Sequence, residues 1–108
     1  MRRSRACRTD DNQSDVVKAL EAIGCSVRDA SRMGDGFPDL IVGYRRRNFL
    51  LEVKDGAKAA SDRKLTPDQV EFHRLWRGQV AVVTSAAEAI ECVLRMTRDE
   101  LPFRGTVS

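Results

Sequence analysis

The chain has 108 residues, 42% of them hydrophobic, enough to bury one compact core and too few for two. No apolar run approaches the ~20 residues that span a bilayer, and no apolar stretch follows the basic N-terminus as it would in a secretory leader. A cytoplasmic protein with no membrane partner is expected. The formal charge of +3 is unevenly placed, because Arg2, Arg3, Arg5 and Arg8 leave a remainder of −1. Cys7, Cys25 and Cys92 lie far apart and form no Cys-x-x-Cys pair, which argues against a disulfide framework and a thiolate metal site.

Residues 1–10 lack hydrophobic periodicity and are expected to form a basic, flexible arm. Over residues 12–23, apolar Val16, Val17, Ala19, Leu20 and Ile23 recur at helical spacing, and Gly24 supplies the stop. Residues 25–28 read as a short strand. A loop over 33–38 follows, with Gly34 and Gly36 inside it and Pro38 at its exit. Strands are predicted over 39–43 and 49–54, joined by a basic turn over 44–48 into a hairpin. Residues 55–64 are polar and read as a flexible loop.

Thr66-Pro67-Asp68-Gln69 opens a second helix. Thr66 suits the N-cap, Pro67 the first helical position, and Gln69 completes a capping box; Gly78 ends the helix after about Arg77. Residues 79–84 form another strand, and Ser85 with Glu88 repeats the capping pattern ahead of a third helix through Ile90, Val93 and Leu94. Pro102 and Gly105 mark 99–108 as an irregular tail. The order is α-β-β-β-α-β-α, a single α/β domain over 11–98 with a small sheet flanked by helices.

Chemistry concentrates in the hairpin. Side chains alternate faces along a strand, so Phe49, Leu51 and Val53 point into the core while Leu50, Glu52 and Lys54 share the other face. Asp39 begins the preceding antiparallel strand, and a turn near Arg46 brings it beside Glu52 and Lys54. Two carboxylates suit a hard cation such as Mg²⁺ or Mn²⁺, and the Val53 backbone carbonyl offers a further oxygen. A lysine beside them can orient or deprotonate a water, or balance charge at a reacting phosphorus. Taken alone, Glu52 and Lys54 equally fit an ordinary ion pair on a half-exposed strand. Arg45, Arg46, Arg47, Lys54, Lys58, Arg63 and Lys64 form a second basic run suited to a polyphosphate partner.

Gly36-x-Pro38-Asp39-Leu40-Ile41-Val42-Gly43 followed by Leu51-Glu52-Val53-Lys54 resembles the PD-(D/E)XK nuclease signature. More narrowly it resembles the small stand-alone VRR-NUC type, often phage-encoded and related to Holliday-junction resolvases. The likeness continues through residues 61–69 and Phe72-His73-x-x-Trp76. It implies a restriction-endonuclease-like mixed sheet and a divalent-metal endonuclease acting on DNA, at branched or junction sites, as a homodimer. It implies Asp39 and Glu52 as metal ligands, Lys54 as catalytic and Gln69 as support to the site. Relatives often carry a glutamate on the first helix; here Asn12, Gln13 and Asp15 stand in that region, Gln13 is the candidate for the place, and a neutral amide there favours a single metal. A catalytically inactive DNA-binding module with the same fold is the alternative.

Further DNA contacts are expected from Arg8, Gln13, Gly36, Ser61, Arg63 and Lys64. The capping box and the site compete for the one Gln69 side chain, and the site is favoured. His73 is expected to be hydrogen-bonded and structural, and Phe72 and Trp76 to be apolar anchors.

Overall fold

A computed structural model describes the backbone of residues 4–107 and the side chains of residues 12–98. The side chain of Arg8 and the start of the expected arm, residues 1–3, lie outside them. Helix α1 (Ser4–Ala22) is followed by strands β1 (Ser26–Asp29), β2 (Leu40–Tyr44) and β3 (Arg47–Val53). A single 3-10 turn at Ala60–Arg63 leads to helix α2 (Pro67–Leu75), strand β4 (Val80–Val83) and helix α3 (Ala86–Val107). This is the α-β-β-β-α-β-α order expected from periodicity and caps.

The four strands make one mixed sheet in the order β1-β2-β3-β4. β1, β2 and β3 are antiparallel neighbours, and β4 joins β3 in parallel after the crossover through α2. A parallel neighbour requires such a crossover, whereas a hairpin needs only a tight turn. Val16 and Leu20 of α1 meet Leu40, Val42, Phe49, Leu51 and Val83 of the sheet, with Ala89 and Val93 of α3 closing the core. Each large side chain so buried contributes roughly 1.5–3 kcal/mol. Cys25 and Cys92 are buried free thiols, and burial pushes both thiols up in pKa. Among the described residues no helix is long and apolar enough to cross a membrane.

Several boundaries differ from the periodicity reading, for local reasons. The hairpin turn is only Arg45-Arg46, because Tyr44 already pairs with Arg47. Both turn residues sit at positive φ, 52° and 69°, as a two-residue turn matched to strand twist requires. Helix α1 starts at Ser4, where no Pro or Gly interrupts the chain ahead of the amphipathic part. Helix α3 continues through Pro102 and Gly105, although Pro102 has no N–H to donate to the preceding turn. Helix α2 stops at Leu75, with extended Trp76 as C-cap donating its N–H to the Phe72 carbonyl.

The hairpin also divides the second basic run. Arg45, Arg46 and Arg47 sit at its tip, while Lys54 follows its open end. The five residues of β2 separate Asp39 from Arg45, six steps of roughly 3.3 Å or about 20 Å. Residues contiguous in sequence therefore occupy opposite ends of the sheet.

Candidate active site

The register pairs Leu40 with Leu51, which sets Asp39 across from Glu52, one step outside the ladder. Asp39 caps the end of that ladder: its Oδ2 accepts the Val53 N–H at 2.8 Å. Within an extended residue the N–H and C=O point to the same side, so the Val53 carbonyl also faces Asp39.

Glu52 is 3% exposed, which removes the alternative of an ion pair on a solvated face. Its Oε2 accepts from Gln69 Nε2 at 3.0 Å and lies 3.7 Å from Lys54 Nζ. Its Oε1 is buried with no hydrogen-bond partner among the described residues. Burial drives the Glu52 pKa up, and the charge of the Asp39 carboxylate beside it adds to this. The Lys54 ammonium pulls the other way, and the carboxyl settles at about 7. Two acids crowded around one point, one of them desolvated, hold a proton unless a cation replaces it.

Gln69 overturns the expectation that one side chain cannot serve both cap and site. Its Oε1 accepts the Thr66 N–H at 2.9 Å and Lys54 Nζ at 3.0 Å, using both lone pairs of the carbonyl. Its Nε2 donates to Glu52, and Thr66 Oγ1 accepts the Gln69 N–H at 3.2 Å. The capping box thus points the amide at the site.

A cavity of about 210 Å³ opens here, lined by Asp39, Glu52, Val53 and Lys54 together with Asn12, Gln13, Asp55, Lys58 and Asp62. Among the described residues no three His, Cys, Asp or Glu side chains converge as a ready-made metal cluster. The residues present nonetheless fit a hard divalent cation: two carboxylates and a carbonyl are oxygen donors, and the orphaned Glu52 Oε1 lacks only a positive partner. Waters and substrate would complete the shell.

The remaining candidates are scattered. Gln13 lines the cavity, but its amide donates to Asp29 Oδ2 at 3.2 Å. Gly36 does not face the cavity; it abuts the first turn of α2. Ser61 and Lys64 are exposed on the loop, and Arg63 Nε donates to the Lys58 carbonyl at 2.9 Å, closing that loop on itself. His73 departs from the expected hydrogen-bonded role, since its Nε2 is buried without a partner among the described residues. Burial and the nearby Lys54 charge both lower its pKa. Phe72 and Trp76 stack at 5.0 Å with Phe37 edge-on to both, although Trp76 stays 44% exposed.

Asn12 takes a role that the sequence did not assign to it. Its Nδ2 donates to the Lys54 carbonyl at 3.0 Å, tying α1 to the end of β3 across 42 positions of sequence. No spacing signal marks such a contact. Asp55 was within reach of a sequence argument, as the residue directly after Lys54.

A solved structure described as a VRR_NUC domain is similar to this chain, with a TM-score of 0.62 and 30% sequence identity. The match covers 78% of this chain and 91% of that one. No protein-family model matches the chain, and no curated protein does.

Proposed function

This chain belongs to the VRR-NUC family, within the PD-(D/E)XK nuclease superfamily, and on that premise we propose that it is a divalent-metal-dependent endonuclease hydrolysing DNA phosphodiester bonds. The observation that carries the reading is the buried, partnerless Glu52 Oε1 beside Asp39. Asp39, Glu52 and the Val53 carbonyl would hold Mg²⁺ or Mn²⁺. Such a cation, when bound, polarises the phosphoryl oxygen and acidifies water.

The protein's own groups do the positioning. Gln69 Oε1 fixes the Lys54 ammonium at 3.0 Å, pointing a localised positive charge at the phosphoryl oxygens as negative charge builds on them. Gln69 Nε2 holds Glu52 Oε2, which leaves Oε1 as the free ligand atom. Asn12 holds the backbone just past the site. Gln13 is a neutral amide turned to Asp29, which supports one cation rather than two. Lys58 at the cavity, with Ser61 and Lys64 on the adjoining loop, meets phosphates and sets register without reading sequence; Arg8 would add to this.

Branched or Holliday-junction DNA as substrate, a homodimer presenting two sites, and a cytoplasmic setting rest on the resolvase kinship alone. Incubating the protein with junction, flap and linear duplex DNA, with Mg²⁺, Mn²⁺ or chelator, tests the reading. Cleavage that needs the cation is expected, with junctions cut fastest. DNA retained in every arm but cut in none would establish an inactive binding module instead.

A further inference from the structure

We propose that Gly36 is a positioning residue whose missing side chain seats the first turn of α2, so that Gln69 reaches Lys54 and Glu52. The inference deepens the nuclease reading and rests on it for its catalytic consequence. Its geometric part stands separately.

Helix α2 has no buried residue, so core packing does not set its position to a fraction of an ångström. The loop between β1 and β2 grips it at two points instead. Near the helix C-terminus the Phe37 ring meets Phe72 at 5.2 Å and Trp76 at 6.3 Å. At the N-terminus Gly36, at φ +80°, lies directly against the backbone of Asp68 and Gln69. A Cβ there would fall 3.0 Å from the Gln69 nitrogen, 2.6 Å from the Asp68 carbonyl carbon and closer still to its oxygen. Those are backbone atoms that cannot rotate aside, so the helix turn would have to withdraw by roughly an ångström to restore ordinary contact. The bonds from Lys54 to Gln69 and from Gln69 to Glu52 are both 3.0 Å, and N–H···O bonds weaken beyond about 3.2 Å. A methyl group at position 36 therefore detaches Gln69 from both partners while leaving the core intact.

The same loop supplies a matched control. Gly34 has nearly the same φ, +76°, with nothing within 4 Å of a Cβ. Gly34→Ala and Gly36→Ala thus carry a similar positive-φ strain, and only Gly36→Ala pushes on α2.

The first measurement needs no activity: the side-chain amide pair of Gln69 in ¹⁵N-labelled protein, identified by its loss in Gln69→Ala. It is expected at a shifted, exchange-protected position in wild type and in Gly34→Ala, and at a solvent-exposed position in Gly36→Ala. The second is DNA cleavage. Gly36→Ala is expected to lower kcat by about 10- to 100-fold with KM little changed, Gly34→Ala to stay within about twofold, and Gly36→Ala/Gln69→Ala to match Gln69→Ala alone. An unmoved Gln69 amide in Gly36→Ala, an equal effect from Gly34→Ala, or additive losses in the double variant would overturn the proposal. If wild type cuts no DNA, the nuclease reading falls, and the amide comparison still decides the seat.

Discussion

In α1 and α3, Val16, Leu20, Ala89 and Val93 are fully withdrawn from water, whereas none of the nine residues of α2 is buried. The two outer helices are held by apolar area. Helix α2 is held by a capping box, a cluster of rings and the hydrogen bonds of one glutamine. Area is non-directional and tolerant of small shifts, while a hydrogen bond is lost over a few tenths of an ångström. Stability and site geometry are therefore assigned to different helices, and substitutions in each should be felt in different measurements.

Removing the residue that α2 orients should do the most damage. Lys54→Ala should cost about 10²–10³-fold in kcat with DNA affinity and thermal midpoint nearly unchanged, measured by single-turnover cleavage beside melting. Equal activity in this variant would remove lysine from the mechanism. In the core the pattern should reverse. Leu20→Ala should destabilise by about 3 kcal/mol in denaturant unfolding, with cleavage per folded molecule preserved. If Leu20→Ala instead abolishes activity at full folding, the division between core helices and site helix is wrong.

A smaller effect joins the two regions through Glu52. Its pKa rises from 4.5 in the unfolded chain to about 7 in the fold, so the folded state binds the proton more tightly. The metal-free protein is therefore favoured fully below about pH 4.5, and that contribution disappears as pH climbs through about 7. On the order of 3 kcal/mol is at stake. Unfolding in chelator should show stability falling between pH 5 and 8, and Glu52→Gln should flatten the slope. Added Mn²⁺ should stabilise more at pH 8 than at pH 5, because the ligand is the carboxylate. A pH-independent Mn²⁺ effect would take Glu52 out of the cation site.

The smallest effect sharpens the account of α2 itself. Thr66→Ala removes the cap hydroxyl and should cost about 1 kcal/mol locally. Hydrogen exchange at the amides of Gln69 and Val70 should quicken about fivefold, with the global melting midpoint moved little. Exchange that quickens equally in α1 would show the helices to be one cooperative unit.

Much of this was legible from residue order because it depends on neighbours in sequence. Val16, Leu20 and Ile23 at helical spacing, Thr66 three residues before Gln69, and two apolar runs around a basic turn are short-range patterns. They yield the elements, the capping box and the meeting of Asp39 with Glu52. Boundaries slipped where local chemistry permits more than one answer, as at Arg45-Arg46, where positive φ is tolerable but not demanded.

The rest depends on contacts between distant segments. That Gln69 can serve Thr66, Lys54 and Glu52 at once follows from where α2 lies over β3, and no local pattern states it. The grip of Gly36 on Asp68, the bond from Asn12 to the Lys54 carbonyl and the distance from the arginine tip to the site are of the same kind. The burial of Glu52, and with it the elevated pKa, is likewise a property of the assembled sheet and helices. Residue order was enough to say which acids and which lysine meet, since strand alternation and one hairpin suffice for that. Packing at long range decided how they are held, because desolvation and hydrogen-bond direction exist only once the distant parts are in place.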